Sequence, residues 1–191
     1  MADSIIKPDS GNELVLEDAG STDRLRITDG GSTILYEDGG AAALTIDTSG
    51  NILKPLQPAF QAHPSSNKSN TTIGSGGTVP FETERFDQGS NFSSNVFTAP
   101  VTGKYQLNLI VYLLDVTANN GYVEFHIQTS NNIYYQIFDP DSFDATASYW
   151  NLTISVLADM DTSDTAEVKL AYSGPTFTVH TETFFSGFLV C

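Results

Sequence analysis

FTAPVTGKYQLNLIV, residues Phe97 to Val111, decides how this chain is read. Pro100 and Gly103 mark a corner, because proline presets φ for a turn and glycine removes the steric bar to positive φ. A period-two run follows at once. Tyr105, Leu107, Leu109 and Val111 fall on one face while Gln106 and Asn108 fall on the other, the pattern of a strand with one buried side. Such a strand is expected to cross the middle of a β-sandwich.

Outward from this stretch the same signal recurs. Val79 to Phe86, Asn95 to Ala99, Lys104 to Val116, Tyr122 to Thr129, Ile133 to Phe138, Tyr149 to Leu157, Ala166 to Tyr172 and Phe177 to Val190 are each bounded by Gly, Pro, Asn, Asp or Ser. Trp150, Leu152, Ile154 and Val156 alternate with Asn151, Thr153 and Ser155, and Val123, Phe125 and Ile127 with Glu124, His126 and Gln128. No stretch shows a 3.6-residue period. Many short strands separated by polar turns imply an all-β fold, a jelly-roll β-sandwich. Ala59 to Ala62 reads as its first strand, and the Ser, Asn, Thr and Gly-rich stretch from Pro64 to Thr78 as a long surface loop. Within that loop Gly74-Ser-Gly-Gly77 lacks the Gly-Lys-Ser/Thr ending of a phosphate-cradling loop.

Upstream, Lys54-Pro-Leu-Gln-Pro58 interrupts any strand ladder, since two prolines so close cannot both pair. This places a boundary between an N-terminal unit, residues 1–57, and a head, residues 58–191. The N-terminal unit repeats loosely as Leu14 to Asp18, Leu25 to Asp29, Leu35 to Asp38 and Leu44 to Asp47, each with Gly or Ser within the next two residues, with the aspartates 11, 9 and 9 residues apart. Short strands closed by Asp/Gly turns follow the logic of a fibrous or solenoid stalk or anchor, in which one copy cannot bury its apolar residues without stacking or partner chains. The alternative is a plain series of hairpins.

Composition narrows the function classes. With 23 acidic against 8 basic side chains and a formal charge of −15, the chain repels nucleic acid. The acidity is spread: residues 1–57 hold 10 acids and 4 bases, the remainder 13 and 4. Met1 to Pro8 offers neither the basic start nor the apolar core of a secretory signal, so synthesis in a cytosol is expected. No apolar run approaches the length of a membrane span, so membrane insertion is not expected. Cys191 is the sole cysteine; no intrachain disulfide can form, and a buried, small apolar role is expected for it. His63, His126 and His180 lie in unrelated segments with no nucleophile signature near them, so no catalytic residues are assigned and no enzyme is expected.

Phe81, Asp87, Phe92, Phe97, Gly103 and Tyr105, in that order, resemble the motif of the globular head of complement component 1q, a jelly roll related to tumour necrosis factor. Pro58-Ala-Phe-Gln-Ala62 and Phe185-Ser-Gly-Phe-Leu-Val190 resemble that family's first and last strands. The resemblance covers roughly residues 59–190 and implies a compact homotrimer on a fibrous stalk. This chain has no Gly-x-y repeat; a cytosol-made trimer on a short β-repeat looks like a bacteriophage structural protein. That implies a place on the virion surface, as head fibre, capsid decoration or tail-fibre tip, with other virion proteins and a host-surface glycan or protein as partners. A free-standing adhesive or lectin-like module is the alternative.

Two loops share a D-x-D-x-x-D spacing: Asp139, Asp141, Asp144 and Asp159, Asp161, Asp164. Clustered carboxylates suit calcium, which some members of the resembled family bind; solvated turns are the other reading. The last segment breaks strict alternation. Phe185 and Leu189 can face the core, which leaves Phe184, Phe188 and Val190 on the other side, where Tyr112 and Leu114 also fall. These five are the expected trimer interface.

Overall fold

The structure, a computed structural model, describes residues 13–191; Met1 to Pro8 lie outside them. The chain divides after Gln57 into two compact units.

In the N-terminal unit β1 (Leu14–Glu17), β2 (Asp23–Ile27), β3 (Thr33–Tyr36), β4 (Ala42–Ile46) and β5 (Ile52–Leu53) form one antiparallel sheet in chain order. This is the plain series of hairpins, not a solenoid, because each strand bonds to the next. The turns repeat in a register that the aspartates alone mislead. Asp18 accepts from the amides of Gly20 and Thr22, Thr28 Oγ1 from Ser32, Glu37 from Gly39 and Ala41, and Asp47 from Ser49 and Asn51. Asp29 and Asp38 therefore sit one place past the acceptor position, where Thr28 and Glu37 do the work. Any side-chain oxygen that reaches the amide four residues on can close such a turn. The Thr22 and Gly20 amides hold the Asp18 carboxyl below its usual range, and those of Gly39 and Ala41 do the same for Glu37.

The second unit contains β6 (Ala59–His63), β7 (Lys68–Ser69), a one-turn helix α1 (Asn70–Ile73), β8 (Gly77–Thr78), β9 (Thr83–Gln88), β10 (Phe92–Ser93), β11 (Val96–Thr98), β12 (Gly103–Val116), β13 (Tyr122–Thr129), β14 (Ile133–Phe138), β15 (Ala147–Met160), β16 (Thr165–Ser173), β17 (Thr178–Val179) and β18 (Phe184–Leu189). One sheet runs β10-β11-β16-β13-β14, with β8 also on β16. The other runs β9-β6-β18-β12-β15, with β17 and then β7 continuing from β12. β12 lies at its centre. Tyr105, Leu107, Leu109, Val111 and Leu113 all point inward and are fully buried, as their alternation requires. They meet Val123, Phe125 and Ile127 of β13 and Val168 and Leu170 of β16 from the facing sheet.

The residues that carry the complement 1q resemblance converge in this core. Phe60 of β6 stacks on Phe92 and Phe97, with centroids 4.9 and 4.7 Å away, and meets Phe185 edge-on at 5.0 Å. Such pairs add roughly 0.5–1.5 kcal/mol each beyond area burial. Asp87 closes its turn by accepting from the amides of Asn91 and Phe92, and the Tyr105 hydroxyl donates to the Val101 carbonyl at 2.8 Å. Gly103 is needed for a reason other than positive φ. A Cβ there would sit 2.5 Å from the Cys191 carbonyl oxygen and 2.7 Å from Leu189 Cδ1.

Three further readings need correction. The final segment, expected to be one strand from Phe177 to Val190, is two, and both use the same edge of β12. Between them the buried Thr183 places its hydroxyl in the ladder, accepting from the Tyr112 amide at 3.0 Å, so the strand jogs. The stretch from Pro64 to Thr78 is pinned rather than loose: Asn70 is fully buried, donates to Pro175 O at 3.0 Å and accepts from the Phe177 amide at 3.2 Å. Cys191 is exposed, not buried.

Candidate assembly face

The outward side of the β12 sheet is built by parity. Because Tyr105, Leu107, Leu109, Val111 and Leu113 point in, Gln106, Asn108, Ile110, Tyr112 and Leu114 point out. Register then lays neighbours beside them. Gln106 lies between Phe188 of β18 and Leu157 of β15, Asn108 between Ser186 and Ser155, Ile110 between Phe184 and Thr153, and Leu114 beside Tyr149. The result is two apolar areas with a polar belt between them. Phe188, Val190 and Leu157 form one, and Ile110, Phe184, Tyr112, Leu114 and Tyr149 the other.

The belt is partly paired within itself. Ser155 Oγ donates to Asn108 Oδ1 at 2.8 Å, and Gln106 Nε2 donates to Ser155 Oγ at 3.0 Å and to the Val156 carbonyl at 3.1 Å. Each group already paired within the sheet is one fewer that a covering surface has to satisfy.

Of the five side chains expected at an interface, Phe188 and Val190 are each 46% exposed. Tyr112, Leu114 and Phe184 are half-buried within the subunit itself. The Arg85 guanidinium sits over the Phe184 ring, 5.6 Å from its centroid, and His63 packs on it at 5.7 Å. Tyr112 rests on His180 at 4.6 Å and on Tyr149 at 6.1 Å. Ile110, Leu157 and Tyr149 escaped sequence reading, yet they are 48%, 56% and 69% exposed on the same face. Ile110 carried the same signal as Tyr112 and Leu114: it is an apolar residue on the outward parity of β12.

Comparison with solved structures gives the same architecture. The globular domain of zebrafish complement 1qA superposes with a TM-score of 0.50 at 15% identity, covering 70% of this chain and 98% of that one. The Eiger tumour necrosis factor of S. frugiperda superposes with a TM-score of 0.54 at 10% identity, covering 71% and 92%. The head has the complement 1q and tumour necrosis factor fold. No protein-family profile and no curated protein matches the sequence.

Four of the six loop aspartates of the head, Asp139, Asp159, Asp161 and Asp164, have their carboxylates engaged locally. Asp139 caps a short 3-10 turn, Pro140–Ser142, by accepting from the Asp141 amide at 2.9 Å. Asp159 pairs with Lys104, Asp161 accepts from the Thr102 hydroxyl, and Asp164 accepts from the Asp161 amide and from Asn131. The two loops flank β15, whose 14 residues at about 3.3 Å each set them on the order of 40 Å apart. Among the described residues no group of three or more His, Cys, Asp or Glu side chains is disposed to hold a metal ion. The histidines are likewise dispersed, His126 against Glu124 at 3.0 Å and His180 against the Glu182 amide at 3.1 Å. Among the described residues no helix is long and apolar enough to cross a membrane.

Proposed function

We propose that this chain is a non-enzymatic structural protein of a bacteriophage particle, exposed on the virion surface after synthesis in the host cytoplasm. It acts as a homotrimer, serving as a head fibre, capsid decoration or tail-fibre tip. The observation that carries the trimer is the outward face of the β12 sheet, where Ile110, Leu157, Phe188, Val190 and Tyr149 stand in water around a polar belt partly paired within the sheet. An isolated subunit has no use for such a face, since burying each large side chain is worth roughly 1.5–3 kcal/mol. Three copies is the number that the complement 1q resemblance implies. Placement on a particle draws support from the layout: a small β-sheet unit that buries none of its described residues up to Gln57 precedes a compact head. The N-terminal unit attaches to capsid or tail proteins, and the head clamps the capsid or meets a glycan or protein of the host surface.

The test is truncation. A chain beginning at Pro58 is expected to remain trimeric by sedimentation and to be lost from purified particles that retain the parent chain. Incorporation of the truncated chain overturns the attachment role. A soluble, monomeric parent at micromolar concentration overturns the trimer.

A further inference from the structure

The N-terminal sheet is one layer thick, and its two faces differ. Register aligns Leu16, Leu25, Leu35 and Leu44 in a single row across β1 to β4, with Ile27 and Ile46 beside it on the same face. On the other face Val15, Arg26, Ile34, Thr45 and Leu53 are in register, a row in which a charge interrupts the apolar residues, and the guanidinium of Arg26 pairs with Asp23 and Glu13. No residue from 13 to 57 is buried, and Leu16, Leu35, Ile27 and Ile46 are exposed. An uninterrupted apolar row has to be buried against another layer, and the described residues of this unit supply none.

The head says what is at hand to cover it. The Leu189 amide donates to the Pro58 carbonyl at 3.0 Å, and Ala59 lies opposite Phe188, so each chain enters the head beside the face through which we have three heads associate. Once the heads are joined, three leucine rows are tethered by chain segments that start close to one another. Effective concentrations under such short tethers are on the order of millimolar, well above any free partner. The row itself is uncharged across all four strands, so three copies meet there without like-charge repulsion despite the acidity of the chain.

We propose that the three N-terminal sheets close on one another, leucine rows inward, as a three-sided stalk and a second contact of the homotrimer. The inference rests on the trimeric reading of the head and adds an interface to it. Attachment to the particle is then left to the ion-paired outer face and the sheet edges.

The experiment uses the full chain with Cys191→Ser as background and one new cysteine, Leu35→Cys on the row or Thr45→Cys on the opposite face, treated with a short bismaleimide. Leu35→Cys is expected to yield covalent dimers in high amount, because each reagent joins one pair of the three, while Thr45→Cys stays uncross-linked. Sedimentation of the same samples reports the head separately. Trimers in which Leu35→Cys does not cross-link, or cross-links no better than Thr45→Cys, overturn the stalk and leave the head trimer standing. Monomers overturn both. As a second readout, Leu35→Asp is expected to leave the particle trimeric and to speed tryptic cleavage at Arg24 and Arg26 by about tenfold or more, the factor that one lost buried leucine per chain corresponds to. An unchanged cleavage rate counts against the stalk.

Discussion

At the scale of single residues, side-chain oxygens set much of the backbone course. Thr183 stands in for a ladder partner of β12, Asn70 holds an otherwise loose segment against Pro175 and Phe177, and Asp18, Thr28, Glu37 and Asp47 close the turns of the N-terminal sheet. Gly187 shows the opposite need, the absence of a side chain: a Cβ there would lie 2.7 Å from Leu107 Cδ2 and 2.8 Å from Phe60 Cε1. Glu82 makes the clearest pH-dependent contact. Its burial raises the pKa, but Lys68 at 2.5 Å and the Ser65 amide at 2.9 Å outweigh that and lower it from 4.5 to about 2. The folded-state carboxyl is therefore the stronger acid, and its contribution is complete above pH 4.5 and lost as pH falls towards 2. Glu82→Gln is expected to lower stability at pH 7 by at most about 1 kcal/mol, because the carboxyl is partly exposed and screened, with the gap to the parent closing near pH 2. Melting temperatures of both proteins across this range check it; a gap that does not change with pH removes the ion-pair account.

At the scale of elements, β12 joins the core to the proposed assembly face, since from Tyr105 to Leu114 one parity fills the sandwich and the other faces out. Ile110 on that parity, and Phe188 beside it on β18, are already about half in solvent in the single subunit, so substitutions there are expected to act on association rather than on folding. Ile110→Asp and Phe188→Asp are each expected to yield folded monomers, weakening association by tenfold or more for every ~1.4 kcal/mol of apolar burial lost. Ser93→Asp, on β10 of the facing sheet, is expected to leave the trimer intact. Light scattering with far-ultraviolet circular dichroism separates the outcomes, and a trimer that survives both Ile110→Asp and Phe188→Asp places the interface elsewhere.

For the whole molecule, charge opposes what apolar area favours. Each chain carries a formal −15, so three of them repel at long range. Added salt is expected to tighten the trimer, since screening removes repulsion while apolar burial is retained. Sedimentation equilibrium at about 20 mM and about 500 mM sodium chloride reads this directly, given Debye lengths of roughly 20 Å and 4 Å. Dissociation at the higher salt points instead to an interface held by ion pairs.

By itself the sequence determined what depends on neighbours two to four residues away. The period-two run from Tyr105 to Val111 set inward and outward sides because successive Cβ atoms alternate whatever lies opposite, and Phe185 fell on the core side by the same alternation. Local pattern also exposed Phe188 and Val190 as out of place. Only the tertiary structure decided which chains of residues share a surface. Leu157 reaches Gln106, Tyr149 reaches Leu114, and Arg85 covers Phe184 through pairings between strands many tens of residues apart. Such pairings follow from strand order and register, and local periodicity carries no information about either. The same limit explains the aspartates of the N-terminal unit: spacing suggested the repeat, but which oxygen closed each turn depended on where the antiparallel ladder began.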